Sequence, residues 1–185
     1  MSLGARIRRY GLTAIVGGVM GILLTPVLTF AGWISGPAGE PPPMLWARTL
    51  QPVVMPLIRL GTAERAIYLY GKMFFPIYVL FLLGLLGLHL LLSGQAGRAG
   101  EWGFRLALVG LILNLAGNIG DYWLGASEAL EVVKGIGFMI GTMLGTLIYT
   151  VGSVLLGWTI LRRDVLPRWA AWVLILTPLL GISML

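Results

Sequence analysis

The sequence predicts an all-α, polytopic bundle embedded in a membrane, with about five spanning helices and an external helix at the interface. Three observations carry that expectation. Apolar residues fill 58% of the 185 positions and charged residues only 11%, against about a quarter in soluble domains. The charges are clustered, which leaves apolar runs of about 18 residues or more, long enough to cross a bilayer as helices. The basic residues flank those runs, where they set topology.

The first predicted span covers 11–33. Arg6, Arg8 and Arg9 precede it, so its N-terminal side is expected in the cytoplasm. The run exceeds about 20 residues and no clear A-x-A site follows, so it is expected to stay as an uncleaved anchor. Pro26 should kink it, with Thr25 or neighbouring groups taking up the freed backbone. Gly18, Gly21, Thr25 and Thr29 form its small, polar face.

The external loop 34–72 opens as a Pro/Gly linker that cannot be helical. Beyond it Trp46, Leu50, Val53, Val54 and Leu57 recur at helical spacing, with Arg48, Gln51 and Arg59 on the other side. That pattern predicts a helix lying in the membrane interface, broken into short pieces by Pro52 and Pro56.

The second span is expected at 73–92, carrying Tyr78 and the one histidine of the chain, His89. The third is expected at 103–122, the fourth at 135–161 and the fifth at 169–185. No internal repeat and no soluble segment interrupts them, so residues 1–185 form a single transmembrane domain. Alternation then gives cytoplasmic segments eight arginines and two acidic residues. The external segments, including Glu64, Asp121, Glu128 and Glu131, hold five basic and five acidic residues. This asymmetry predicts a cell (inner) membrane protein with its N-terminus inside and its C-terminus outside.

Composition also narrows function. There is no cysteine, which removes disulfides, thiolate metal sites and cysteine nucleophiles. The net charge of +6 comes from helix flanks, not from a basic block interleaved with exposed aromatics, so nucleic acid is not an expected partner. A single histidine without a second ligand argues for packing, not haem or metal. No GxxxxGK[ST], G-x-S-x-G or HExxH motif is present. No catalytic residue, cofactor or metal site is therefore assigned.

The polar residues that remain lie on two facing stripes. In the third span Ala107, Gly110, Asn114, Gly117, Asn118 and Asp121 fall within about 100° of a helical wheel. In the fourth Gly141, Thr142, Gly145, Tyr149, Gly152 and Ser153 share a sector, with Thr146 beside it. Gly137, Gly141 and Gly145, four apart, make a doubled small-xxx-small pattern of the kind that lets backbones approach closely in lipid. An unsatisfied amide in hydrocarbon costs several kcal/mol, on the order of 2–7, so these groups should turn inward. Asn114, Asn118, Asp121, Thr142, Thr146, Tyr149 and Ser153 are the candidate ligand-binding residues. Matched depths predict Asn114 near Tyr149 and Asn118 near Thr142.

The stretch "LLGWTILRRDVLPRWAAWVLILTPLLG" (155–181) resembles the final hairpin of uncharacterised bacterial multi-pass families. Those families end in a span, a basic loop, an L-P-R-W element and a last apolar span. Here the element is Leu166, Pro167, Arg168 and Trp169. The resemblance implies a bacterial membrane protein and transfers no functional residue.

Together these features lead to the expectation of a non-enzymatic membrane protein, an accessory or packing subunit of a larger complex. Its partners would be the lipid bilayer and other membrane subunits, or a second copy. The alternative is a small-molecule or lipid-binding protein or carrier, with a polar pocket between the third and fourth spans.

Overall fold

A computed structural model describes residues 3–36, 39–41, 45–60, 62–124 and 131–182. The molecule is 91% helical, with no strand among the described residues. Seven α-helices follow in order: α1 (Leu3–Ser35), α2 (Leu45–Ile58), α3 (Ala63–Leu92), α4 (Gly97–Asn118), α5 (Glu131–Ile136), α6 (Gly145–Arg163) and α7 (Arg168–Ile182). Among the described residues, two wide π-helical stretches extend them. Ile119–Leu124 continues α4, and Gly137–Leu144 joins α5 to α6.

Four helical rods are long and apolar enough to cross a membrane: Gly4–Ser35, Glu64–Leu92, Gly97–Leu124 and Val132–Arg163. Each extends beyond the span read from the sequence. A helix need not stop where hydrocarbon stops, because terminal arginines such as Arg6, Arg8 and Arg9 carry their charge back to water on long stems. The fifth segment is different. As described, α7 has 15 residues, about 22 Å at 1.5 Å per residue, and residues 183–185 of the expected span 169–185 lie outside the described residues. Glu128, in 125–130, also lies outside them.

Packing divides the bundle in two. α1 packs along α3, α4 along α6, and α7 covers α6, while α3 joins the halves through α4. Glycines allow these close pairings. A Cβ at Gly84 would lie 2.6 Å from that of Ala14, and one at Gly17 2.9 Å from that of Leu80. On the first helix it is therefore Gly17 that meets α3, while Gly18, expected on the packing face, has nothing within 4 Å of its Cβ position. Between the halves a lateral groove remains open.

α2 is a single 14-residue helix with Pro52 and Pro56 inside it, not the broken pieces expected. The two prolines are one turn apart, and Arg48, Pro52 and Pro56 all lie on the exposed side. The carbonyls left without amide partners therefore share that side, where water or headgroups can satisfy them. The opposite face places Ala47, Val54 and Ile58 against Val27, Phe30 and Ala31 of α1 and Ala66 of α3. Trp46 meets Phe30 edge-on, ring centroids 6.0 Å apart. Val53 and Leu57, expected on the buried stripe, point outward. The C-terminal end of α1 and the N-terminal end of α3 are thus bound under an amphipathic cap.

Pro26 sits within an unbroken α1. The Thr25 hydroxyl donates to the Gly21 carbonyl at 2.7 Å, one residue from the Ile22 carbonyl that Pro26 leaves unbonded.

Candidate functional site

The α4–α6 seam is built backbone on backbone. A Cβ at Gly103 would lie 2.9 Å from the Leu156 amide nitrogen. One at Gly110 would overlap the Tyr149 backbone, and one at Gly117 would lie 2.5 Å from Gly141 Cα. The antiparallel register is set by glycines at both helices' contact points. The i+4 spacing of Gly137 and Gly141 falls within the wide Gly137–Leu144 turn, where hydrogen bonds run i→i+5.

Within this seam Asn114 and Thr146 meet. The Thr146 hydroxyl donates to Asn114 Oδ1 at 3.1 Å, and Asn114 Nδ2 donates to the Gly110 carbonyl at 3.0 Å. Asn118 turns elsewhere. Its amide donates to the Gly71 carbonyl of α3 at 2.8 Å, not to Thr142, because Gly71 lets α4 approach α3 and Tyr122 lies directly over that glycine. Asn118 is 2% exposed, and its Oδ1 has no hydrogen-bond partner. Thr142 is half-buried on the neighbouring rod.

Asp121 sits in the π-helical end of α4, 5% exposed. It lines a pocket of about 400 Å³ with Tyr68, Tyr122, Lys134 and Phe138. Lys134 donates to the Tyr68 hydroxyl at 3.2 Å, and its ammonium lies 5.4 Å from the centre of that ring. Lys134 and Tyr68 thus tie α5 to α3 beside Asp121 of α4. His89 stacks flat on Phe104, centroids 3.9 Å apart, a packing contact between α3 and α4. Among the described residues no three His, Cys, Asp or Glu side chains gather as a metal site would.

The predicted site residues therefore divide. Asn114 and Thr146 are brought together, Asn118 goes to α3, and Asp121 goes to the pocket beside Tyr68 and Lys134. Tyr149 and Ser153 border the lateral groove between the two halves of the bundle. That groove has a volume of about 1000 Å³ and is lined mostly by aliphatic and aromatic groups of α1, α3, α6 and α7. At one end Trp46 and Leu50 of α2 close it. The sequence reading placed space between α4 and α6, but the open volume flanks their contact. One signal for it was legible: Gly11, Gly18 and Thr25 recur every seven residues, and all three line the groove.

Compared with known protein families, curated proteins and solved structures, the chain matches none of them.

Proposed function

We propose that this chain is a multi-pass, non-enzymatic cell-membrane protein that holds a lipid-like molecule in the groove between its two helical halves. The N-terminus is cytoplasmic, α7 serves as a fifth membrane segment, and the C-terminus is external. The charge asymmetry about the four long helices supports that orientation.

The groove is the observation that carries the reading. Its volume of about 1000 Å³ lies at the top of the range of small-ligand sites, about 300–1,000 Å³. The backbone-on-backbone α4–α6 seam makes one wall rigid. At Gly11 and Gly18 the α1 wall carries no side chain, with nothing within 4 Å of either Cβ position.

The second reading is an accessory subunit whose groove takes a helix of another chain or of a second copy. A 20-residue helix about 30 Å long and 10 Å across occupies roughly 2400 Å³. That is more than twice the groove, so only one side of such a helix would enter it. A chain-like molecule fits better.

The test is native mass spectrometry of the full chain purified in mild detergent, beside Gly18→Leu. Leucine there would occupy the groove without meeting existing packing. The expected result is a bound long-chain molecule on the wild type and its loss in the variant. A stoichiometric protein partner displaced by Gly18→Leu would replace this reading with the accessory subunit. Equal adducts on both proteins would remove the groove from the argument.

A further inference from the structure

We propose that the groove selects a neutral long-chain molecule with a hydrogen-bond-accepting head, of the prenylated-quinone type, over a phospholipid. This rests on reading the groove as the binding site.

Among the described residues, the lining contains no Asp, Glu, Lys, Arg or His. A charged headgroup placed there would lose its water and gain no counter-charge, at a cost no lining group offsets. The polar groups that do line the groove are hydroxyls: Thr25, Tyr78, Tyr149 and Ser153. Thr25 is already committed to the Gly21 carbonyl. Ser153 is 1% exposed and already hydrogen-bonded to Tyr149, which leaves the Tyr78 and Tyr149 hydroxyls to donate, as suits a carbonyl acceptor.

Depth separates the two lipid classes. Tyr149 falls within two residues of the middle of the Val132–Arg163 rod. A phospholipid headgroup stays at the interface, about 15 Å from the midplane of a 30 Å core. A hydroxyl at mid-depth cannot reach it. A neutral head can sit there, with its chain running along the smooth α1 wall. From Ile7 to Thr25 that wall is about 28 Å long at 1.5 Å per residue. No electron transfer is part of the proposal; the head acts only as an acceptor.

Trp46 lines the outer end of the groove and offers a fluorescence readout. The full chain in mild detergent is titrated with a benzoquinone bearing a long prenyl chain. Squalene, of similar hydrocarbon but without a head, and phosphatidylglycerol are then used as competitors. Wild type is expected to bind the quinone saturably, and Gly18→Leu to lose that binding. Tyr149→Phe should weaken the quinone by about fivefold for one lost hydrogen bond and leave squalene unchanged. Tyr78→Phe is the second variant should Tyr149→Phe fail to fold.

If phosphatidylglycerol displaces the quinone, or if the Tyr149→Phe and Tyr78→Phe proteins both bind quinone as wild type does, the ligand class is wrong while the groove reading stands. If no probe's binding responds to Gly18→Leu, both fall.

Discussion

Gly117→Ala adds one methyl group at the tightest part of the α4–α6 seam. The new Cβ would lie 2.5 Å from Gly141 Cα and 2.7 Å from the Gly137 carbonyl oxygen. Ordinary contact begins at 3.4 Å, so the helices must part by about 0.9 Å at that point. Both obstacles are backbone, so no side chain can rotate away. A gap of 0.5–1 Å forfeits about a quarter to a half of the dispersion well for every pair along it. Overpacking costs about 1–3 kcal/mol in well-packed interiors, and a backbone contact falls at the upper end, about 3 kcal/mol. At roughly 2–4 °C per kcal/mol for a protein of this size, the melting temperature should fall by about 6–12 °C. Gly18→Ala is the matched control. It faces open space and replaces glycine by a better helix former, a gain of about 0.5–1 kcal/mol, so its melting temperature should hold or rise. Thermal unfolding in mild detergent, followed by circular dichroism, reads both. Co-melting of Gly117→Ala with wild type, or an equal loss in Gly18→Ala, would refute the seam.

Asn114→Leu should cost about 0.6–1.7 kcal/mol, the range of interhelical hydrogen bonds in membranes, because it removes both the Thr146 and the Gly110 contacts; unchanged stability would mean those bonds contribute nothing. Gly157→Leu should release α7, since even a Cβ there would lie 2.6 Å from Ile175 and 2.8 Å from the Ala171 carbonyl. Hydrogen exchange should rise in 168–176 and stay level in α4, and protection retained in α7 would contradict that docking. A topology reporter fused after Leu185 should report the outside and one inserted at 94–97 the cytoplasm; a cytoplasmic signal from both would mean α7 does not cross.

The long rods were legible because a long apolar run free of charge leaves its mark in one dimension. The α4–α6 seam was legible for a similar reason: Gly110, Gly117, Gly141 and Gly145 keep helical spacing, and small residues in lipid mean close backbones. Asn118 was not placed correctly, because its partner is the Gly71 carbonyl of α3. Any helix offers such a group, and only the approach of a third helix selects it. The continuity of α2 was hidden because proline's cost depends on which way the freed carbonyls face, and that is known only once the buried side is known. The groove was hidden for a related reason. It is a space between two pairings, α1 with α3 and α4 with α6, and no single helix encodes its width. The wide turns at Ile119–Leu124 and Gly137–Leu144 left no periodicity that a 3.6-residue pattern would detect.

Those wide turns make tolerance to lost residues uneven along the fourth rod. A stretch bonded i→i+5 holds more chain per turn than an α-helix. One residue can be removed from Gly137–Leu144 and the backbone can tighten to i→i+4, with the helices on either side keeping their facing. Removing one residue from Gly145–Arg163 offers no such slack. It rotates everything beyond the cut by about 100° relative to the rest, and Gly152, which stands against the Ala107 backbone, would turn from α4. Length variants of this protein should therefore accumulate in the N-terminal half of the rod and be lost from its C-terminal half.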